Sequence, residues 1–171
     1  MKRTVFTMDI EESSFSCLKF LADGMLGSLA RWLRFLGYDT VFHQDWTKGQ
    51  LLSLAKTEGR IFLTRDRAFA QKSRPFPVIF VSSEDVGDQL KQVVVDLNLD
   101  PVSHRFSLCS LCNASVKSVK KDEVADSVPK AVWERESVFW ECPCCGRIYW
   151  QAGHWQRIEA RLAALHLNKR E

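Results

Sequence analysis

Between Cys17 and Leu99 the apolar residues alternate between a spacing of two and a spacing near 3.6, the periods of strands and helices. Lys19 to Ala22 predict a short buried strand. Leu29, Trp32, Leu33 and Leu36 then recur at i, i+3, i+4 and i+7, an amphipathic helix closing at Gly37. Thr40 to Phe42 predict a second strand, and Thr47 with Gln50 forms a capping box opening a helix that Gly59 ends. "RIFLT" predicts the third strand, "DRAFAQKS" a short helical turn, and "FPVIFV" a fourth strand with Pro77 near its start. Ser82 or Ser83 is expected to cap the last helix, whose apolar stripe is Val86, Leu90, Val93, Val94 and Leu97. Strand and helix alternating four times predict an α/β unit, a mostly parallel sheet flanked by helices with right-handed crossovers. "LNLDPVSHRF" breaks the pattern. The expected division is therefore residues 18–100 for this unit, 101–155 for a cysteine-bearing unit and 156–171 for a C-terminal helix or tail.

In a parallel sheet, ligands bind beyond the carboxyl ends of the strands. Asp23, Asp45 and Asp66 follow the first, second and third strands, so all three belong to that edge. Asp39 precedes the second strand, six residues before Asp45 or about 20 Å of extended chain, and belongs to the opposite edge. Taken singly, an aspartate after a strand caps the next helix. Three of them in one cleft would repel one another and shift toward protonation unless a cation intervenes. A hard divalent ion, Mg²⁺ or Mn²⁺, suits carboxylate and water oxygens, and one or two such ions support phosphodiester hydrolysis. Glu84 and Asp85 follow the fourth strand, where a helix N-terminus favours acids. Arg65 and Arg67 flank Asp66, while Arg31 and Arg34 share the polar face of the first helix; these are candidate phosphate contacts, with solvated charge the alternative.

"CSLC" at 109–112 and "CPCC" at 142–145 give C-x2-C, 29 residues (113–141), C-x2-C. Such pairs form two knuckles around one tetrahedral Zn²⁺, here from Cys109, Cys112, Cys142 and Cys145, with Gly146 just past the second knuckle. Four thiolates close the coordination sphere, which makes the site structural. Cys144 and Cys17 are expected to be spectators, and neither pair opens a helix within a βαβ unit as a redox motif would. "RIYWQAGHW" places Arg147, Tyr149, Trp150 and Trp155 together, a composition suited to docking the ribbon onto its neighbour and also to stacking unpaired bases. His154 is expected to be structural rather than a fifth ligand.

Composition narrows the class. At 171 residues, 46% hydrophobic and 26% charged, the chain suits one globular domain with or without a small appendage, and its net charge of +3 is not gathered in one basic block of sequence. Asp9, Glu11 and Glu12 interrupt any signal-like apolar stretch, and no apolar run approaches the roughly 18 residues of a membrane span. The expectation is a cytoplasmic protein with no membrane segment and with reduced thiols that serve as metal ligands.

"FLADGMLGSLARWLRFLGYDT" followed by "EGRIFLTRDRAFA" resembles the Mut-seven C-terminal RNase family, PIN-like nucleases whose core domain is followed by a zinc ribbon. The resemblance runs from about Leu18 to Trp155. It implies a PIN-like α/β fold, metal-dependent cleavage of RNA, and site roles for Asp23 after the first strand and Asp66 in "TRDR". "HQDW" offers Asp45 as the intermediate acid, and Asp85 is the residue placed where such sites carry a fourth. The leading expectation is a Mg²⁺- or Mn²⁺-dependent ribonuclease, endonucleolytic, in which a water is the nucleophile, since no Ser, Cys or His constellation suggests a covalent intermediate. The alternative is an RNA-binding or adaptor protein that keeps fold and ribbon without catalysis. A phosphate-handling receiver or phosphatase domain is disfavoured, because Asp23-Gly24-Met25 lacks a D-x-D pair and no fifth strand carries a lysine.

Overall fold

The computed structural model describes residues 18–151 and 153–167, with the backbone alone at 153–155 and 157. Cys17 and the side chains of His154 and Trp155 thus lie outside the described residues. Four parallel strands, β1 (Phe20–Ala22), β2 (Thr40–Phe42), β3 (Ile61–Thr64) and β4 (Val78–Phe80), form one sheet in the order β2-β1-β3-β4. They alternate with α1 (Gly27–Phe35), α2 (Lys48–Glu58), α3 (Arg67–Ala70) and α4 (Val86–Asp96).

Successive strand residues face opposite sides, and the core divides accordingly. Phe20, Ala22, Ile61 and Leu63 pack with Leu29 and Leu33 of α1 and with Leu90, Val93 and Val94 of α4. Leu21 and Phe62 pack on the other face with Leu51 and Ala55 of α2 and Phe69 of α3. The sheet is buried on both faces, which explains the near-continuous apolar strands. α2 opens on the expected capping box, Thr47 with Gln50, and ends on Gly59 in the left-handed conformation at φ +62°. One expectation fails at α4: its N-cap is Asp85, whose Oδ1 accepts from the N–H groups of Gly87 and Asp88. Ser82 instead faces Gln92 of α4, and the Ser83 hydroxyl accepts from Asp85 N–H, one step before the cap.

The remaining strands, β5 (Lys117–Val119), β6 (Phe139–Glu141) and β7 (Ile148–Trp150), make an antiparallel sheet in sequence order. Its small core joins Phe139 to Val124, inside the 3-10 turn Lys121–Ser127, and to Val128, between that turn and the short α5 (Lys130–Arg135). The last helix, α6 (Gly153–Ala164), returns to the first unit, burying Leu162 with Leu33 and Leu90 of α1 and α4. No helix among the described residues is long and apolar enough to cross a membrane.

Candidate active site and zinc centre

β1 connects to β2 on one side, and the chain then passes to β3 and β4 on the other. The strand order therefore reverses between β1 and β3, and the carboxyl ends of those two strands flank the crevice where α/β sheets bind ligands. Asp23 follows β1 and Asp66 lies two residues beyond β3, on neighbouring strands with Ala22 paired to Leu63. Their link is Thr64, fully buried at the end of β3. Its hydroxyl donates to Asp23 Oδ2 at 2.8 Å and accepts from the Asp66 N–H at 3.0 Å. Sequence reasoning missed Thr64, because a threonine ending an apolar strand reads as an ordinary strand former.

Helix capping separates the three aspartates. α1 has Leu26 at its N-cap with no side-chain bond, and α2 is capped by Thr47, so neither Asp23 nor Asp45 is a cap. Asp23 Oδ1 accepts from Gly24 N–H instead. Asp66 does cap α3, its Oδ1 accepting from Phe69 N–H, while its Oδ2 receives Lys48 Nζ at 2.7 Å. The bond from Lys48 and the helix N–H hold the Asp66 carboxyl below the ordinary carboxylate value. Asp45 is exposed on the loop after β2, beside a His43–Trp46 stack with centroids 3.9 Å apart. Among the described residues, the group of three or more Cys, His, Asp or Glu whose ligand atoms all lie within 4.8 Å is the cysteine set, and the three aspartates do not form a second. Two carboxylates with water and substrate oxygens nevertheless match the donor set that Mg²⁺ takes.

The opposite edge is occupied differently. Asp39 accepts from Arg60 Nη1 at 2.8 Å and Nη2 at 3.0 Å and from Asn113 Nδ2 at 2.6 Å. Burial pushes its carboxyl up, but the Arg60 and Asn113 hydrogen bonds outweigh this and hold it below the usual value. Arg34, expected with Arg31 among phosphate contacts, is 4% exposed: Nε donates to Thr40 O, and Nη1 to Ser110 O and Leu111 O. This corrects the expectation. The polar face of α1 at Arg34 is covered by the first zinc knuckle, leaving Arg31 exposed. Arg65 is also engaged, pairing with Glu84 at 2.7 Å.

The two knuckles repeat one geometry. Cys109 N–H donates to Ala114 O and Cys142 N–H to Arg147 O; Asn113 and Gly146, each just past the second cysteine of its pair, donate back to Cys109 O and Cys142 O from left-handed φ of +71° and +68°. Glycine adopts that conformation freely, and asparagine is among the residues that tolerate it best. The sulfurs of Cys109 and Cys145 are 3.7 Å apart and those of Cys112 and Cys142 3.3 Å. Four sulfurs at about 2.3 Å from one Zn²⁺ would be about 3.8 Å apart, so the cluster fits zinc. Burial pushes the Cys109 thiol up, but the Tyr149 hydroxyl and backbone N–H groups of the knuckle bring it down to about 6. Burial pushes Cys112 up, and its neighbouring sulfurs add to the shift. A divalent ion relieves that crowding by binding all four as thiolates. Cys144 is exposed and outside the set. Tyr149 and Trp150 line the junction between ribbon and core with Phe35, Phe106 and Trp140.

The family model of the Mut7-C RNAse domain matches residues 18–162, and the chain belongs to that family. That makes it an RNase-type domain, with a nuclease-type hydrolase activity and RNA as the substrate indicated by the family. No curated protein and no solved structure matches the chain significantly.

Proposed function

We propose that the protein is a divalent-metal-dependent ribonuclease, cutting RNA endonucleolytically at the carboxyl edge of the parallel sheet in the cytoplasm. The observation that carries this reading is the Thr64 bridge between Asp23 and Asp66 at the strand-order reversal. Asp23 and Asp66 would hold Mg²⁺ or Mn²⁺, and the exposed Asp45 would contribute from the loop after β2. The bound ion supplies activation of water and stabilisation of the leaving oxygen. Thr64 fixes the rotamer of Asp23, and the Phe69 N–H fixes that of Asp66, so both carboxylates are oriented before substrate arrives. The zinc centre lies with the first knuckle against Arg34 and Asp39, and braces the sheet from the opposite edge.

The test is cleavage of a single-stranded RNA by purified zinc-loaded protein with and without added Mn²⁺. Cleavage should require Mn²⁺ and fall in Asp23→Asn and Asp66→Asn by at least the roughly 10–100-fold that losing an outer-shell partner costs. Equal cleavage by both variants at saturating metal would overturn it. The Lys48–Asp66 pair favours the second reading, an RNA-binding adaptor, because it already neutralises one of the two carboxylates; Mn²⁺-independent RNA binding without cleavage would establish that reading.

A further inference from the structure

Six of the described arginines, Arg34, Arg60, Arg65, Arg67, Arg74 and Arg105, divide into two groups. Arg34, Arg60, Arg65 and Arg105 spend their guanidinium N–H groups inside the protein, on backbone carbonyls or on Asp39, Glu58, Glu84 and Glu159. Arg67 and Arg74 do not. Among the described residues neither pairs with a carboxylate, yet each is held in place by an aromatic ring: Arg67 lies 4.8 Å from the Phe80 centroid and Arg74 4.2 Å from that of Phe69. Arg74 Nε is moreover buried without a hydrogen-bond partner. Lys48, paired with Asp66, also lies on this ring, its ammonium 4.5 Å from the Phe69 centroid.

All of this surrounds α3, the helix that Asp66 caps. Residues 65–74, "RDRAFAQKSR", carry Arg65, Arg67, Lys72 and Arg74 against the single acid Asp66, and the fold adds Lys48 from α2. A shallow cleft of about 300 Å³ opens beside it, lined by Arg67, Ala70, Gln71, Val78 and Phe80. A guanidinium stacked on a ring keeps its N–H fork free and has already lost much of its rotamer freedom. That is the arrangement suited to an oxygen anion of fixed shape, and phosphate takes such a fork in two parallel hydrogen bonds.

We propose that α3 is a phosphate platform: Arg67 and Arg74, held over Phe80 and Phe69, grip backbone phosphates of the RNA strand next to the bond presented to Asp23 and Asp66. The placement rests on the proposed nuclease site, but the grip itself does not require cleavage. It reads no base, so it contributes affinity and register rather than sequence choice. A count over residues 18–100 hides this basic surface because acids elsewhere in the unit balance it, and Lys48 reaches it from another helix.

The experiment measures binding of a labelled single-stranded RNA to the zinc-loaded full chain by fluorescence anisotropy, without added divalent ions, across a range of salt. Arg67→Gln and Arg74→Gln should each weaken binding about tenfold and reduce the slope of log K against log salt by about 0.7. Lys56→Gln removes the same charge about 12 Å along α2 from Lys48 and should bind as wild type. Arg67 is exposed, so Arg67→Gln carries the test should Arg74→Gln unfold in a parallel melting curve. Wild-type affinity and slope in Arg67→Gln, an equal loss in Lys56→Gln, or no RNA binding by the wild type would each overturn the platform. Loss of binding in the arginine variants of a protein that cuts no RNA would sink the nuclease site and leave the platform standing; normal binding by those variants in a protein that cuts RNA would do the reverse.

Discussion

The two edges of the parallel sheet hold similar side chains in opposite states. At the amino edge Asp39 is saturated by Arg60 and Asn113, and Arg34 is buried against the carbonyls of Thr40, Ser110 and Leu111. At the carboxyl edge Asp23 takes one backbone N–H and the Thr64 hydroxyl, Asp66 is half-exposed, and Arg67 and Arg74 lie on rings without acid partners. Residue type did not decide which edge became structural. The zinc knuckle contributed to it, because docking at the amino edge brought Asn113 to Asp39 and the Ser110 and Leu111 carbonyls to Arg34.

Zinc is where that contrast breaks most severely. Metal analysis should find one tightly held zinc in the wild type and none in Cys112→Ser, and the variant should lose the ribbon's protection against hydrogen exchange. Because Ser110 and Leu111 belong to the knuckle, melting of the α/β unit should drop in the same variant. Full zinc content in Cys112→Ser would refute the assignment.

Next in size is Asp39→Asn. Arg60, only 5% exposed, would keep its charge and its bond to Glu58 but lose the two-pronged carboxylate of Asp39. Breaking a fully buried pair costs about 3–5 kcal/mol, so this half-buried one should cost about 2–3 kcal/mol in urea unfolding. Asp39 has a folded value below its unfolded one near 3.9. Its contribution is therefore present above about pH 4 and fades as pH falls through the lower, folded value. Asp39→Asn should flatten the acid limb of melting temperature against pH; an unchanged limb would show that the pair contributes nothing.

Thr64→Val sharpens the comparison from the other side. It keeps the shape and leaves Asp66 N–H and Asp23 Oδ2 without their shared partner, at a cost of about 1–3 kcal/mol. RNA cleavage should fall about 10–100-fold, with a higher Mn²⁺ requirement, and Thr64→Ser should recover most of it. The smallest expected effect is that of Cys144→Ser, which should keep its zinc and its melting temperature.

Much of the architecture was legible because it is written locally. The period changes marked the strands, the Thr47–Gln50 box and Gly59 marked α2, and the parallel order predicted Asp39 at the edge away from Asp23. The four zinc cysteines followed from spacing alone. What stayed hidden depends on partners distant in sequence: Arg34 meets residues 76 and 77 positions away, and Asn113 reaches back 74 to Asp39. The α4 cap was missed for a different reason. Ser82, Ser83 and Asp85 are all good caps within four positions, and local chemistry does not rank them.

On the proposed reading the carboxyl edge is the working end and the amino edge the stapled one. Asp23→Asn and Asp39→Asn, assayed together for Mn²⁺-dependent RNA cleavage and for thermal unfolding, test it most directly. Asp23→Asn should lose cleavage by about 10–100-fold or more while melting close to wild type. Asp39→Asn should melt several degrees lower, yet cut RNA normally at a temperature where it remains folded. The reverse assignment, with cleavage lost in Asp39→Asn and retained in Asp23→Asn, would contradict the account.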